Sequence, residues 1–295
     1  MTFSATEAAF EGFRVVRRNP LAILFWALAY MIFFVAFFGL FGSSLATLMS
    51  TTESMEGAQP SPQELQALFQ TYMGFFALVM PIALVLGAVL NAAVARSVLF
   101  PAEKSFGYMR LGGDELRVLA VSVALGIVFF AVYFVLFGAV VLLSMLAGQA
   151  NQGIGILVGI LTGLAAFAAL IWLVIRLSLA IPATVAEKRI APFSSFGMTK
   201  GQVFPILGMA VIAFIMSILV SILGTIIALP ITLATGGLNQ LATMDGQSTA
   251  QILQAAGPGL IGWAVVNAVF SALQLAVIYA PFSAAYRELK GLPHE

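Results

Sequence analysis

Six stretches of the chain are long, apolar and free of Asp, Glu, Lys, Arg and His: residues 20–42, 71–95, 118–146, 153–175, 206–235 and 257–282. A helix needs about 20 apolar residues to cross a hydrocarbon core of about 30 Å, and its backbone must satisfy its own hydrogen bonds there. Every stretch meets that length, so the pattern predicts six transmembrane helices and an all-α fold. The links and the two ends collect every charge. The first run is too long for the roughly 7–15 apolar residues of a signal-peptide core and shows no convincing cleavage site, so it is read as an uncleaved helix.

Orientation follows from where the basic residues fall. Arg14, Arg17 and Arg18 precede the first span. Arg96, Lys104, Arg110 and Arg117 lie between the second and third, and Arg176, Lys188, Arg189 and Lys200 between the fourth and fifth. Arg287 and Lys290 follow the sixth, so all 13 Lys and Arg share one side. The other side carries only Glu53, Glu56, Glu64 and Asp245. The positive-inside rule makes the basic side cytoplasmic and places both termini there.

The same segments repeat. Phe10 to Arg14, Phe106 to Arg110 and Phe196 to Lys200 each set a Phe four residues before a cation, ahead of an odd-numbered span. Even-numbered spans end on Pro101, Pro182 and Pro281, which predicts that each helix stops at its exit because proline interrupts helical hydrogen bonding. Ser61 with Glu64, and Ser248 with Gln251, predict capping boxes that open the second and sixth helices. Three units result, 1–104, 105–190 and 191–295, each an inner elbow, an outgoing helix and a returning helix. Two spans per unit keep the copies parallel, so a compact bundle with threefold pseudosymmetry about the membrane normal is expected.

In the first elbow, Ser4 and Glu7 form a further expected capping box, and Phe3, Phe10 and Phe13 recur at helical spacing. Residues 4–18 are therefore expected as a helix lying in the interface, rings toward lipid and Glu7, Glu11, Arg14 and Arg18 toward headgroups. Two readings of the elbows stand: they anchor helix ends, or Phe10, Arg14, Phe106, Arg110, Phe196 and Lys200 bind lipid or a partner. Arg96 and Arg176, just before exit prolines, could hold a lipid phosphate or pair with Asp114, Glu115 or Glu187. The third copy has Leu275 and Ala276 there instead. Gly155, Gly159 and Gly163 form overlapping GxxxG motifs, suited to packing within the chain or to a homodimer seam. Asn91, Ser217, Ser221, Asn267 and Gln274, with Thr225, Thr232 and Thr235, are expected to face the bundle interior, lining a polar cavity or bonding between helices.

Composition narrows the function. Apolar residues make up 61% of the chain and charged ones 8%, against roughly 25% charged in soluble domains; mean hydropathy is +1.06. That excludes a cytosolic enzyme and a disordered scaffold. A net charge of +1 leaves no field for a nucleic acid. There is no cysteine, and His294 is the single histidine. No span carries a nucleophile with a base, a carboxylate pair or a metal-ligand set, and no phosphate-binding glycine loop is present. No catalytic residue and no cofactor are expected.

The run Phe106-Gly-Tyr-Met-Arg-Leu-Gly-Gly-Asp-Glu-Leu-Arg117, with the run from Arg176 through Lys200, resembles a poorly characterised family of six-helix bacterial inner-membrane proteins. That family is related to the membrane domain fused to some glycerophosphodiester phosphodiesterases. The resemblance implies a bacterial cytoplasmic membrane and carries over no catalytic residue. The expectation is a non-enzymatic protein that binds membrane lipids or another membrane protein, in envelope maintenance or as an accessory subunit. The alternative is a passive transporter or channel for a lipid or small amphiphile.

Overall fold

The computed structural model describes residues 4–54, 61–103, 105–235, 241 and 243–292. Phe3, Glu56, Lys104 and His294, with the side chains of Glu53 and Glu64, lie outside the described residues. Every regular element described is helical: α1 (Ala5–Ala9), α2 (Glu11–Arg18), α3 (Pro20–Ser54), α4 (Pro62–Leu99), a 3-10 turn at Ser105–Tyr108, α5 (Gly113–Ala150), α6 (Gln152–Leu177), α7 (Ala180–Glu187), α8 (Ser194–Met198), α9 (Val203–Thr235) and α10 (Thr249–Leu289). Six of these, with α7 continuing α6, are long and apolar enough to cross a membrane, and each contains one of the six apolar stretches.

Several helices outrun their apolar cores. α3 has 35 residues, about 52 Å at 1.5 Å per residue, more than a bilayer with its headgroups. Its last turns are polar, and Ser50 and Thr51 donate to the Thr47 carbonyl at 3.0 and 2.6 Å, so the hydroxyls are satisfied on their own helix. Prolines mark exits unevenly. α4 ends at Leu99 before Pro101, and Pro182 sits in the first turn of α7, where a missing N–H costs nothing. Pro281 does not end its helix: α10 runs through it to Leu289. Around it Ala280, Ala284, Ala285 and Tyr286 are buried, and packing on these sides holds the helix across the lost bond. The Ser248 capping box forms as expected, with the Ser248 N–H 2.9 Å from Gln251 Oε1 and the Gln251 N–H 3.4 Å from Ser248 Oγ. The Ser4 box is only half made, because the Ser4 N–H donates instead to Glu288 Oε2 at 3.3 Å.

α10 is the axis of the molecule. It packs against α3, α9, α4 and the α1–α2 elbow, while α5 and α6 form a hairpin joined to the rest mainly through α4 and α7. Along α10 the residues Ala264, Ala268, Ala272, Ala276, Ala280 and Ala284 recur every four positions, and all are buried. Small residues at that spacing let neighbouring backbones approach where lipid supplies no hydrophobic drive for association. The main core lies at the end that carries the elbows and the basic residues, uniting Ala8, Val15, Trp26, Val94, Leu179 and Ile206 with this part of α10. A smaller cluster at the far end joins Phe38 and Ala46 of α3 to Leu241, Met244, Ile252 and Leu260. The compact bundle expected from the sequence is thus concentrated at the basic end. Toward the far end α5, α6 and α9 expose large apolar side chains such as Leu142, Met145, Leu157, Leu161, Leu229 and Leu233.

The first elbow differs from a single interfacial helix. It breaks at Phe10 (φ −88°, ψ 1°) into α1 and α2. Phe10 and Phe13 point outward as expected, yet the opposite face docks on protein: Ala8, Ala9, Gly12 and Val15 are buried, and so is Glu11. Glu11, expected toward headgroups, accepts from Arg14 at 2.7 Å and lies 3.9 Å from Arg287. Gly12 meets α10 backbone to backbone. A Cβ there would lie 2.5 Å from Val277 Cα and 2.6 Å from the Ala276 carbonyl oxygen. Gly12→Ala is therefore expected to destabilise the protein by about 1–3 kcal/mol through overpacking. Gly39→Ala, with nothing within 4 Å of its Cβ, should leave stability unchanged or raised; thermal unfolding of both variants in one detergent checks the contrast.

Candidate functional site

Two arginines occupy matching places in the sequence and find opposite surroundings. Arg96, in the last turn of α4, is buried to 2% exposure. Its Nη2 stands 2.6 Å from Glu115 Oε1 and 3.5 Å from Asp114 Oδ2, and its Nη1 donates to the Tyr108 carbonyl at 2.9 Å. That carbonyl is aimed inward by the 3-10 turn, where Phe106, Gly107 and Tyr108 all have positive φ (47°, 64° and 64°). The turn is costly for the two non-glycine residues, and it is held by its contacts. Trp26 Nε1 donates to the Gly107 carbonyl at 2.7 Å, and the Tyr108 hydroxyl donates to the Pro101 carbonyl at 3.1 Å. A Cβ on Gly107 would come within 2.9 Å of Phe25. Glu115 also accepts from the Gly112 N–H at 3.0 Å, which caps α5. Arg96 is therefore a structural bolt between α4, the second elbow and α5, with its charge already answered.

Arg176, in the last turn of α6, has no such answer. Its Nη1 donates to Thr199 Oγ1 at 3.1 Å. Its guanidinium carbon lies 4.9 Å from the Phe196 ring centre and 5.6 Å from that of Trp172, within cation–π range. No carboxylate among the described residues comes within ion-pair distance, and its Nε is buried without a hydrogen-bond partner. The third elbow, α8, is pinned beside it by Ser195 Oγ, which accepts the Leu179 N–H at 3.1 Å. Trp172 is exposed beside the guanidinium, and Lys200 is exposed just after α8. The guanidinium is thus partly buried between two aromatic faces, with no carboxylate among the described residues; the negative end of the α6 dipole favours its charge.

The missing third arginine has a packing reason. Ala276, at the corresponding place on α10, is where Gly12 of the first elbow lies against the helix backbone. A guanidinium there would displace α2. Each elbow touches a returning helix, the 3-10 turn on α4, α8 on α6 and α7, and α1–α2 on α10, while the 3-10 turn also lies on α3 and α1 on α9.

The remaining candidates separate. Arg14 pairs with Glu11, and Arg110 lies 2.9 Å from Glu103; Phe106 is largely exposed. Gly155 and Gly159 pack within the chain, on Gly148 and Ser144 of α5, whereas Gly163 faces open space. The polar residues do not share one cavity. Ser221, Asn267 and Gln274 line a groove of about 240 Å³ between α9 and α10, with Asn267 Nδ2 donating to the Trp263 carbonyl at 2.8 Å. Asn91 lines a separate cavity of about 310 Å³ near the basic end. Ser217 is buried and lines neither. Among the described residues no group of three His, Cys, Asp or Glu could hold a metal.

No family model, no curated protein and no solved structure matches this chain. Its function has to be read from its own side chains. Sequence reasoning passed over Trp26, the Tyr108 carbonyl and Arg287, which donates to the Val98 carbonyl at 3.1 Å. One signal was available: Asp114-Glu115 follows the second elbow, and no acid follows the third before α9, so only Arg96 has carboxylates at hand.

Breaking a buried pair strands a charge, at about 3–5 kcal/mol. Glu115→Gln is expected to lower the melting temperature sharply, and Arg96→Met combined with Glu115→Leu to recover much of the loss. Arg176→Gln should change stability far less. Thermal melts of the four proteins decide whether the two arginines have different roles.

Proposed function

We propose that this chain is a non-enzymatic protein of a bacterial cytoplasmic membrane, both termini inside, that holds an anionic lipid of the inner leaflet at Arg176. The observation that carries the reading is the pairing pattern. Arg14, Arg96 and Arg110 spend their charge on Glu11, Glu115 and Glu103, and Arg176 has an aromatic rim in place of a carboxylate. A lipid phosphate supplies the missing counter-charge bidentately, its glycerol region lies against Trp172 and Phe196, and Lys200 adds a second cation at headgroup depth. The lipid then bridges α6 to the third elbow, which suits a role in envelope maintenance or as the accessory subunit of a larger membrane assembly. The threefold repeat belongs to the same proposal and is supported by the contact each elbow makes with a returning helix. So does kinship with the membrane domain fused to some glycerophosphodiester phosphodiesterases, which rests on residues 105–117 and 176–201.

A second reading, passive passage of a small amphiphile, is favoured by the groove of Ser221, Thr225, Asn267 and Gln274 between α9 and α10. It needs that groove to open to both faces of the membrane in some conformation.

The test is lipid retention. Protein released from nanodiscs containing phosphatidylglycerol and phosphatidylcholine is expected, by native mass spectrometry, to keep one phosphatidylglycerol. Arg176→Gln should reduce that species by about tenfold or more, the worth of a charge-assisted hydrogen bond. Arg110→Gln, which disturbs only an exposed pair, should not. Equal retention by the Arg176 variant would overturn the proposal.

A further inference from the structure

The cavity beside Asn91 has a different chemistry from the Arg176 site and does not depend on it. It lies where α4, the α6–α7 junction and α10 meet α5. The polypeptide is irregular at that wall. α6 stops at Leu177, Ser178 and Leu179 turn, and α7 starts at Ala180 with Pro182 in its first turn. Within a membrane protein, broken helices are tolerated where they border a cavity, and they often border binding sites.

The polar groups that reach the cavity are uncharged. Asn91 Oδ1 is buried without a hydrogen-bond partner. The Asn91 amide also carries two N–H donors, and the Tyr279 and Ser283 hydroxyls beside it make no hydrogen bond among the described residues. Apolar side chains, Leu125, Phe129, Leu177 and Phe282 among them, form the rest of the wall. No Asp, Glu, Lys, Arg or His lines it. A phosphate or carboxylate would be desolvated there with no counter-charge, which is strongly unfavourable. The Asn91 oxygen itself has no surface toward the space, but the Asn91 amide N–H groups can donate to a ligand hydroxyl, and the Ser283 and Tyr279 hydroxyls can donate to or accept from it. The volume, about 310 Å³, is at the lower end of ligand pockets, roughly 300–1,000 Å³, room for the head and upper part of one chain.

We propose that this cavity binds an uncharged, hydroxyl-bearing, single-chain lipid of the monoacylglycerol type, its hydroxyls on Asn91 and Ser283 and its chain along Phe129 and Phe282. The test uses a monoacylglycerol with a diazirine in its acyl chain, added to the protein in phosphatidylcholine nanodiscs and photolysed, with adducts mapped by mass spectrometry. Saturable labelling is expected in the segments 125–129 and 279–283, competed by unlabelled monoolein and not by oleate, which separates an uncharged head from an anionic one. Asn91→Leu should weaken labelling by about tenfold, the effect of removing hydrogen bonds from a buried site. Phe129→Trp, which fills the space while leaving Asn91 in place, should also abolish saturation. Ser283→Ala, a smaller change, guards against misfolding of the other two and should weaken labelling by a lesser factor. Labelling that never saturates, that spreads over the lipid-facing helices, that oleate competes equally well, or that survives both Asn91→Leu and Phe129→Trp overturns the proposal; a cavity holding only water gives the first of these.

Discussion

Close approach of backbones along α10 is the constraint from which the rest of this structure follows. In a bilayer, apolar side chains gain nothing by leaving lipid for protein, so helices associate only where packing is tighter than lipid allows or where polar groups need partners. Ala264, Ala268, Ala272, Ala276, Ala280 and Ala284 meet the first condition. They keep one face of α10 free of long side chains as α3, α4, α9 and α2 gather around the helix. At Gly12 the approach becomes backbone on backbone, which fixes how the first elbow sits and leaves no room for a third arginine. Away from this core, where such small-residue contacts thin out, the outer parts of α5, α6 and α9 show apolar side chains to their surroundings.

The second condition, satisfaction of polar groups, is met unevenly, and the unevenness gives the basic end its chemistry. Around Arg96 the charge is answered: Glu115 and Asp114 stand within ion-pair distance, and a left-handed turn delivers the Tyr108 carbonyl to the guanidinium. Around Arg176 the guanidinium is placed as carefully, by Thr199, Phe196 and Trp172, yet no carboxylate among the described residues reaches it. Asn91 repeats the contrast in neutral form, a buried oxygen without a donor on a residue that lines a half-open space. Our proposals place an anionic headgroup at the first of these open positions and an uncharged, hydroxyl-bearing head at the second. Lipids supply both.

The spans were readable from the sequence because charge is so costly in hydrocarbon that its absence marks them. Their ends were not. The polar tail of α3 bonds to its own backbone and stays helical, and α10 crosses Pro281 because its neighbours bury it there. The face of the first elbow was misread at Glu11, since an acidic residue suggests water and only tertiary structure brings Arg287 toward it. Similar local motifs hid the difference between Arg96 and Arg176, which arises from the residues after each elbow. The alanine ladder was missed because alanine counts toward apolarity in any window and its period of four carries the information. The polar residues were expected to face the interior, yet Ser221 and Thr225 are exposed; which of the others share a space depends on helix rotation, and Asn91 lies apart from Asn267 and Gln274.

An experimental density map of the protein in nanodiscs formed from its native membrane tests the central claim most directly, because it shows both arginines at once. Phosphate density is expected within hydrogen-bond distance of the Arg176 guanidinium, with Arg96 closed on Glu115 and free of lipid. A protein carboxylate on Arg176, or a headgroup on Arg96, would contradict it.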